Sequence, residues 1–371
     1  MSTERGRTPN PPTISEVAAA AGVGRATAAR TLGGYGHVSE EMRERVLQAA
    51  DDLGYRANAL ARSMSTGVTH TLGVIVADIG NPFFAGVVRG ISDASRARGF
   101  DTIVLSTRES LEEEVAAMNV LLDKRVDGVI VASAAIEAKD VAHIVAARDH
   151  GIPVVLVDRD VAHVQLDSVV IDNRAAAREA IALLLEAGHT RVGFVWGPAA
   201  GDRPMTRRQL LAAAATTLWT DAERLHGYLD ALDDAGIRFD SDLIMVGPKT
   251  EEHATEEVER MLHLDDRPTA LFCTETDAMT GSLRAIRGAS LTYPTDVSLI
   301  GFDDSSWAAV MDPPLTMIEQ PMHELGEHAA TTLLAAIDGK ATTQSQHTLE
   351  TKLISRASVM PPPTTVRRPG A

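Results

Sequence analysis

Polar side chains follow five of the apolar runs in the part of the chain after residue 70. They are Asp78, Ser133, Asp158, Thr276 and Asp303. Where such runs are strands of a parallel sheet, a ligand binds beyond their carboxyl ends. Carboxylates at that edge, together with the guanidinium groups of Arg159 and Arg224, can hold paired hydroxyl groups of a small molecule. Such sites select their ligand sharply, because an unpaired buried polar group is costly.

The chain carries no motif of the common catalytic sites. It has neither a GxxxxGK[ST] phosphate loop nor a GxSxG nucleophile turn, and Cys273 is its only cysteine. The segment HELGEH places His323 and His328 five residues apart, whereas a helical zinc motif needs a spacing of four. We therefore expect no enzyme activity, no catalytic residue, no metal site and no cofactor.

The apolar runs alternate with helical segments and so predict the scaffold of the site. The runs are Leu72–Ala77, Thr102–Leu105, Gly128–Ala132, Val154–Val157, Val192–Trp196, Leu243–Val246, Ala270–Cys273 and Val297–Gly301. This spacing is typical of β-α-β units with right-handed crossovers. It predicts an α/β fold with parallel sheets.

The first fifty-odd residues predict three short helices instead. Thr13 and Glu16 form a capping box that begins a first helix, and the Gly22–Gly24 turn separates it from a second helix at 25–32. Ser39 begins a third, for which we expect a buried face of Met42, Val46, Ala50 and Leu53. Two helices joined by so tight a turn indicate a helix-turn-helix, although a small helical bundle without a DNA role has the same pattern.

Charge is distributed unevenly along the chain. The net charge is −16, but residues 1–70 carry +1, with eight arginines and no lysine. Arginine suits bidentate contacts to phosphate and guanine.

The N-terminal residues lack the apolar stretch of a secretory signal, and no apolar run reaches the 18 residues of a membrane span.

The sequence resembles the LacI/GalR family of bacterial repressors at many separate places. The matching segments are TISEVAAAAGV, ATAARTL, VSEEMRERVLQAADDLGYRANALARSM, TGVTHTLGVIVADIGNPFFAGVVRGI, PVVLVDRD, VVIDN, GHTRVGFVWGP, ERLHGY, PTALF, PTDVSLIGFDD and PPLTMIEQP. They cover almost the whole chain in order. The resemblance implies a small all-α helix-turn-helix headpiece followed by a two-lobed domain like that of periplasmic sugar-binding proteins.

The resemblance also implies that the second helix lies in the major groove of DNA. Arg25 would bond O6 and N7 of a guanine, Ala26 would contact a thymine methyl, and Thr27 and Arg30 would hold phosphates. Arg25 as a solvated surface arginine is the alternative. Two positions depart from the family pattern, since Gly24 and Ala29 stand where serine is usual.

A hinge helix at 58–67 is implied as well. In the family it forms on the operator and drives an apolar wedge, here Met64, into the minor groove. A linker helix that packs Leu60 and Met64 on the next domain is the alternative. The complete set of implied DNA contacts is Thr13, Arg25, Ala26, Thr27, Arg30, Asn58, Leu60, Arg62 and Met64.

The implied domain boundaries follow from the same alignment of motifs. A disordered tail at 1–12, a headpiece at 13–57, a hinge and linker at 58–70, a two-lobed domain at 71–360 and a Pro-rich tail at 361–371 are expected. The N-terminal lobe is placed at about 71–160 and 321–340, and the C-terminal lobe at about 161–320 and 345–360. The three crossings between them are placed near 161, near 320 and at 341–347.

The cleft between the lobes is implied to hold the effector. Phe83 falls off the apolar stripe of its helix and is expected to face the cleft, although packing under a loop is the alternative. Capping of a loop is the alternative for Asp158 and Asp303, and a surface position for Lys249, whose charge would favour an acidic ligand. The implied effector contacts are Asp78, Asn81, Phe83, Phe84, Ser133, Asp158, Arg159, Trp219, Thr220, Arg224, Lys249, Thr276, Asp277, Asp303 and Gln320. Trp196 is interpreted as a core residue.

The expected protein is a DNA-binding transcriptional regulator, a repressor, whose affinity for a pseudo-palindromic operator is controlled by a small effector. A sugar or sugar derivative is the expected effector. The protein is expected to be cytoplasmic and nucleoid-associated. A homodimer rather than a tetramer is expected, because the C-terminal tail has no heptads for a coiled coil. The alternatives are a sugar-binding protein without a DNA role, and a co-repressor-dependent regulator that binds a nucleoside or purine. The segment at 199–217 is longer than the usual family loop, and its run RQLLAAAATTLW predicts a helix that either reshapes the cleft or adds dimer surface.

Overall fold

A computed structural model describes residues 12–33, 36–55, 68–161, 164–199, 203, 205–340 and 345–364. The chain divides into two compact units, Met1–His70 and Thr71–Ala371. The predicted hinge contacts Asn58, Leu60, Arg62 and Met64 lie outside the described residues. Among the described residues, no helix combines the length and the apolar character needed to cross a bilayer.

The first unit contains the three predicted helices. They are α1 (Ile14–Ala20), α2 (Arg25–Gly33) and α3 (Glu40–Asp52). The Thr13–Glu16 capping box is present at the start of α1. Small apolar side chains, among them Val17, Ala28 and Val46, form the core. The side chain of Thr31 is also buried. The expected face of α3 is partly wrong, since Met42 and Leu53 are exposed and Ala49 is buried instead.

The second unit is built from two sheets with helices on their faces. Its strands are β1 (Thr71–Val76), β2 (Asp101–Ser106), β3 (Gly128–Val131), β4 (Val154–Val157), β5 (Asp167–Ile171), β6 (Val192–Val195), β7 (Ala270–Cys273), β8 (Ser298–Phe302), β9 (Thr316–Glu319), β10 (Gln346–Leu349) and β11 (Lys352–Ile354). Its helices are α4 (Pro82–Ala97), α5 (Leu111–Asp123), α6 (Ala142–Asp149), α7 (Asn173–Glu186), α8 (Arg207–Ala214), α9 (Trp219–Asp234), α10 (Glu251–Leu262), α11 (Thr276–Gly288), α12 (Ser306–Val310) and α13 (Met322–Ile337).

The first sheet has the order β10-β5-β4-β3-β1-β2, with every pair parallel. The helices α4 and α13 pack against each other and on this sheet, while α5 and α6 also contact its strands. Its central strands β1, β3 and β4 are almost completely buried, as expected for strands covered on both faces. The predicted parallel α/β architecture is confirmed.

The second sheet has the order β11-β9-β8-β7-β6 and is parallel except for the antiparallel β11–β9 pair. The helix pairs α7–α9 and α10–α11 pack beside it. A strand is expected at Leu243–Val246, but the chain there forms a 3-10 turn at Ser241–Leu243 and a single bridge between Phe194 and Ile244. Asp240 caps that turn, which uses the residues that would have begun a strand.

The chain crosses between the two sheets three times, and two crossings differ from the expected positions. Strand β5 belongs to the first sheet, whereas the next helix, α7, packs against α9 beside the second sheet. The first crossing is therefore at Asp172 rather than near 161. The second lies at Gln320, as expected. The third lies at 350–351 rather than 341–347, because β10 pairs with β5 before β11 joins β9.

Candidate ligand-binding site

A cavity of about 480 Å³ lies at the carboxyl ends of strands from both sheets. Its size falls within the range of roughly 300–1,000 Å³ usual for small-ligand pockets. The described lining consists of Ala77, Asp78, Gly80, Asn81, Pro82, Phe84, Arg108, Glu109, Arg159, Trp196, Leu218, Thr220, Asp221, Lys249, Glu275, Thr276 and Asp277. Eight of the sequence-predicted contacts are part of this lining: Asp78, Asn81, Phe84, Arg159, Thr220, Lys249, Thr276 and Asp277.

Arg159 is the buried cation that the first sheet contributes. Its Nη2 donates to Oε1 of Glu109 at 2.5 Å, its Nη1 to the carbonyl oxygen of Ser133 at 3.3 Å, and its Nε lies 3.2 Å from Oδ2 of Asp158. Asp158 follows β4 with a φ of +70°, a conformation that non-glycine residues seldom adopt. Burial raises the pKa of Asp158 to about 6, although Arg159 and Arg224 oppose the rise.

Arg224, which lies on α9, is a buried cation in the second half of the unit. Its side chain is 3% exposed and its guanidinium lies 3.8 Å from the ring centroid of Phe302. The Nε donates to Oδ1 of Asn173 at 2.8 Å, and Nη1 donates to the Thr274 carbonyl at 2.6 Å and to Glu275 at 3.0 Å. Burial raises the pKa of Glu275 to about 8 despite Arg224. Arg224 therefore anchors the strand-end loops by charged and stacking contacts together.

Asp303 and Gln320 lie beneath the cavity rather than in its described lining. The Nε2 of Gln320 donates to Oδ1 of Asp303 at 2.5 Å, and both side chains are buried. Asp303 has a φ of +67° after β8, and burial raises its pKa. Gln320 Oε1 and Asn173 Nδ2 are buried without a hydrogen-bond partner among the described residues. Unsatisfied buried groups of this kind favour a site that a ligand or water completes.

Lys249 does not give the cavity a free positive charge. Its Nζ forms an ion pair with Asp221 and lies 6.0 Å from the ring centroid of Trp196. The described lining contains five carboxylates (Asp78, Glu109, Asp221, Glu275 and Asp277) and three cations (Arg108, Arg159 and Lys249). This balance argues against the acidic ligand that Lys249 alone suggested. Within the described ranges, no three metal-ligating side chains come together.

Seven sequence-predicted contacts lie outside the described lining. Four of them are the buried polar groups Asp158, Arg224, Asp303 and Gln320, and the other three are Phe83, Ser133 and Trp219. Phe83 is buried against the apolar core while Phe84 lines the cavity, so the expected orientation of Phe83 is wrong. Ser133 is fully buried, and its hydroxyl donates to Oε1 of the equally buried Glu114 at 2.7 Å. Trp219 begins α9 outside the described lining, where the preceding Leu218 stands instead.

Nine lining residues are not among the sequence-predicted contacts. They are Ala77, Gly80, Pro82, Arg108, Glu109, Trp196, Leu218, Asp221 and Glu275. Trp196 follows β6 with a φ of +104°, which turns its side chain toward the cavity although it is 7% exposed. Trp196 is the last residue of the apolar run Val192–Trp196, and this place at the carboxyl end of a strand is the signal that could have identified it. Arg108 and Glu109 also follow a strand, β2, and both have positive φ.

The first unit presents the predicted DNA contacts at the start of α2. Arg25 and Ala26 are exposed at the first two positions of the helix, Thr27 is half-buried, and Arg30 is exposed. The Nε of Arg30 donates to the Ala26 carbonyl oxygen at 3.3 Å. Thr13 is exposed, and its hydroxyl bonds to Glu16 in the capping box. Side chains at the start of a helix that follows a tight turn are the ones that reach base edges in the major groove.

Comparison with known proteins identifies both units. Residues 13–58 match the model described as "Bacterial regulatory proteins, lacI family", and residues 69–357 match that of "Periplasmic binding proteins and sugar binding domain of LacI family". The chain belongs to the LacI family of bacterial regulatory proteins. The two matches confirm the resemblance seen in the motifs of this LacI-family chain. They also confirm the predicted fold, a helix-turn-helix followed by a periplasmic-binding-protein-like domain.

The relatives span nearly the whole LacI-family chain. Catabolite control protein A of Priestia megaterium is 32% identical over 333 residues, which are 90% of this chain and 94% of that protein. The HTH-type transcriptional repressor PurR of Aliivibrio salmonicida (strain LFI1238) is 30% identical and covers 94% and 98%. A solved complex of the transcriptional regulator CelR with cellobiose superposes with a TM-score of 0.67 at 30% identity, covering 94% and 99%. These relatives are regulators rather than enzymes, and a family of bacterial DNA-binding regulators implies a cytoplasmic location.

Proposed function

We propose that this LacI-family protein is a transcriptional repressor whose headpiece binds an operator, and whose affinity for the operator changes when a small polyhydroxylated molecule fills the cavity of the second unit. The observation that carries the proposal is the presence in one chain of a LacI-type helix-turn-helix and of a cavity lined by paired carboxylates and guanidinium groups. The protein acts at the nucleoid.

The exposed start of α2 supports the DNA half of the proposal. Arg25 is positioned to bond the O6 and N7 atoms of a guanine and Ala26 to contact a thymine methyl. Thr13, Thr27 and Arg30 contact phosphates, which set the register without reading sequence. Arg62 and Met64 of the hinge, with Asn58 and Leu60, remain predicted contacts to the adjacent minor groove.

The charges of the cavity support a ligand with little or no net charge. Its buried cations already have carboxylate partners, since Arg159 contacts Glu109 and Asp158, and Lys249 contacts Asp221. An anionic ligand would have to displace those partners, whereas hydroxyl groups donate to carboxylates and accept from guanidinium groups without doing so. Sugars and nucleosides both carry such hydroxyls, and CelR, a relative, is known in complex with cellobiose.

Two further parts of the proposal concern assembly and control. The protein is a homodimer that reads a pseudo-palindrome, because two copies of one helix match two half-sites related by a two-fold axis. The ligand acts by binding the DNA-competent and incompetent states with different affinity, and a coupling of about 1–3 kcal/mol is typical. Induction and co-repression differ only in the sign of that coupling.

The test begins with a selection of duplexes from random DNA by the purified full-length protein. Fluorescence anisotropy then measures the affinity for the selected duplex with and without each member of a panel of sugars, sugar acids and nucleosides. We expect a selected palindrome and a neutral polyhydroxylated hit, and the direction of the affinity change gives the sign of coupling. Recovery of unrelated sequences only would overturn the proposal.

A further inference from the structure

The segment Met205–Thr217, for which the sequence left a reshaped cleft and added dimer surface as alternatives, contains a helix that packs against α9. Thr206 caps α8 through a capping box with Gln209. Met205, Leu210 and Ala214 are buried in the same core cluster as Leu225 of α9. The segment is therefore a built part of the second unit, with one apolar face packed and the other exposed.

An ion pair joins the start of α8 to the end of α9. Arg207, the first residue of α8, makes a bidentate contact with Asp233 near the end of α9, with Nη2 at 2.6 Å from Oδ2. Because the start of one helix contacts the end of the other, α8 and α9 form an antiparallel helical hairpin. The pair lowers the pKa of Asp233 and raises that of Arg207, as a charge-assisted hydrogen bond does.

The turn of this hairpin delivers residues to the cavity. The Thr217 hydroxyl donates to the Ala214 carbonyl at 2.7 Å, and the Leu218 carbonyl accepts from the backbone amides of Asp221 and Ala222 at 3.1 Å. Leu218 is thereby held between the end of α8 and the start of α9. It lines the cavity together with Thr220 and Asp221.

Leu218 adds an apolar surface to a cavity that is otherwise rich in charge. The described lining also contains Pro82, Phe84 and Trp196, none of which has a hydroxyl group to pair with a sugar. The aromatic rings of Phe84 and Trp196 can stack on the C–H face of any sugar ring, so the surface that a free monosaccharide leaves poorly used is the aliphatic surface of Leu218 and Pro82. A glycoside presents a polyol at one end and an apolar group at the other, which matches both parts of the lining.

We propose that the α8–α9 hairpin is a specificity element that holds Leu218 against the apolar group of a glycosidic ligand, either an alkyl or aryl glycoside or a nucleoside. The proposal rests on the polyhydroxylated ligand proposed above. Leu218 contacts the ligand, and Arg207 is a positioning residue that acts through α8. The sugar hydroxyls meet the carboxylates and Arg159, while the aglycone or base meets Leu218.

Isothermal titration calorimetry on the full-length protein tests this with two matched pairs of probes: methyl and phenyl β-glucoside, and ribose and adenosine. We expect the probe with the larger apolar group to bind at least about tenfold more tightly within one pair, a ratio typical of an apolar pocket contact. The pair that shows the preference distinguishes a glucoside from a nucleoside ligand. Leu218→Ala should reduce the ratio to about two- to threefold, and Leu211→Ala, which alters α8 outside the described lining, should leave it unchanged.

The positioning role has its own control. Arg207→Ala should reduce the same ratio, whereas Arg178→Ala, which breaks the comparable ion pair between α7 and Asp234 of α9, should keep it. Melting temperatures of all variants separate a lost preference from a general loss of stability. An unchanged ratio in Leu218→Ala, or equal effects of Arg207→Ala and Arg178→Ala, would overturn the proposal. If no probe binds, the inference fails together with the ligand class, while operator binding is judged by its separate assay.

Discussion

Arg224 links the floor of the cavity to three separate parts of the second unit. Its guanidinium contacts Asn173 at the first crossing, the loop after β7, and the face of Phe302 at the end of β8. The planar fork and the stacking surface of arginine are both used, and lysine has neither. The carboxyl group of Glu275 accepts a hydrogen bond from Nη1 of Arg224 and lines the cavity.

Replacement of Arg224 should therefore destabilise the fold as well as the site. We expect Arg224→Met to lower the free energy of unfolding by about 3–5 kcal/mol, because it leaves buried acceptors and carboxylates unpaired. Arg224→Lys should recover only part of that loss. Urea unfolding followed by circular dichroism measures both, and a change under about 1 kcal/mol in Arg224→Met would show that the buried contacts contribute little.

The raised pKa values of Asp158 and Glu275 predict how stability changes with pH. Their values of about 6 and about 8 exceed the ordinary 3.8 and 4.5, so the folded state binds more protons than the unfolded chain between about pH 4 and 8. Stability should consequently fall as the pH rises through that range and level off above it. In Glu275→Gln the fall in melting temperature between pH 6.5 and 8 should be flatter by a few degrees. A variant curve as steep as that of the wild type would contradict this assignment.

Arg25 is the residue whose loss should change sequence preference in the headpiece. It is exposed at the first position of α2, so its truncation removes a base contact without disturbing the core. Arg25→Ala should cost about 1–3 kcal/mol on the preferred duplex and relax the preference at one base pair of each half-site. Arg30→Ala, as the control, should weaken all duplexes to a similar degree. The same base preference in the variant and the wild type would reject the role.

At the scale of elements, glycines set the close packing of the helices beside the first sheet. A Cβ atom on Gly90 of α4 would lie 2.0 Å from the His323 carbonyl oxygen of α13, and one on Gly326 would lie 2.0 Å from the Val87 carbonyl. These contacts are with the backbone, so no side-chain rotation can relieve them. The two helices can approach this closely only because each has a glycine where it faces the other.

Gly90→Ala should separate α4 from α13 and disturb the start of α4, which carries Pro82 and Phe84 into the cavity. We expect a loss of about 1–3 kcal/mol or more, the usual cost of overpacking. Gly288→Ala at the end of α11 is the control, because its Cβ would lie 3.3 Å from the flexible Glu259 carboxylate. Thermal unfolding of both variants measures the difference. A Gly90→Ala protein as stable as the control would mean that the helices adjust at little cost.

The elements also show what sequence reasoning can and cannot predict. The capping box at Thr13, the strand–helix alternation and the polar residues after β1, β4 and β7 are local signals, and the structure confirms those elements. The crossings at Asp172 and 350–351 depend on which sheet a strand joins, which is a long-range pairing. Likewise, Phe83 and Phe84 are adjacent and equally apolar, and only the packing of α4 decides which one lines the cavity.

Leu218 illustrates the same limit for the site itself. It directly follows the segment 199–217, and its position follows from the packing of α8 on α9 and from the Arg207–Asp233 pair. Asp221 and Glu275 were missed because each is defined by a partner distant in the sequence, Lys249 and Arg224 respectively. Motifs thus located the loops of the site, while tertiary contacts selected the side chains within them.

The complete chain combines two proposed functions. The helix-turn-helix reads a DNA sequence, and occupancy of the cavity changes the strength of that reading. Neither activity alone distinguishes a ligand-responsive regulator from a DNA-binding protein with an unused cavity. The coupling free energy between the two sites is the quantity that does.

The most direct measurement is the affinity of the full-length protein for its selected duplex and for a scrambled duplex, at one salt concentration, with and without a saturating cavity ligand. We expect at least a roughly thousandfold preference for the selected duplex. We also expect a change of about 5- to 150-fold when the ligand is present, which Arg159→Ala in the cavity should abolish. Equal affinity for both duplexes, or an affinity for the selected duplex that no cavity ligand alters, would contradict the proposed function.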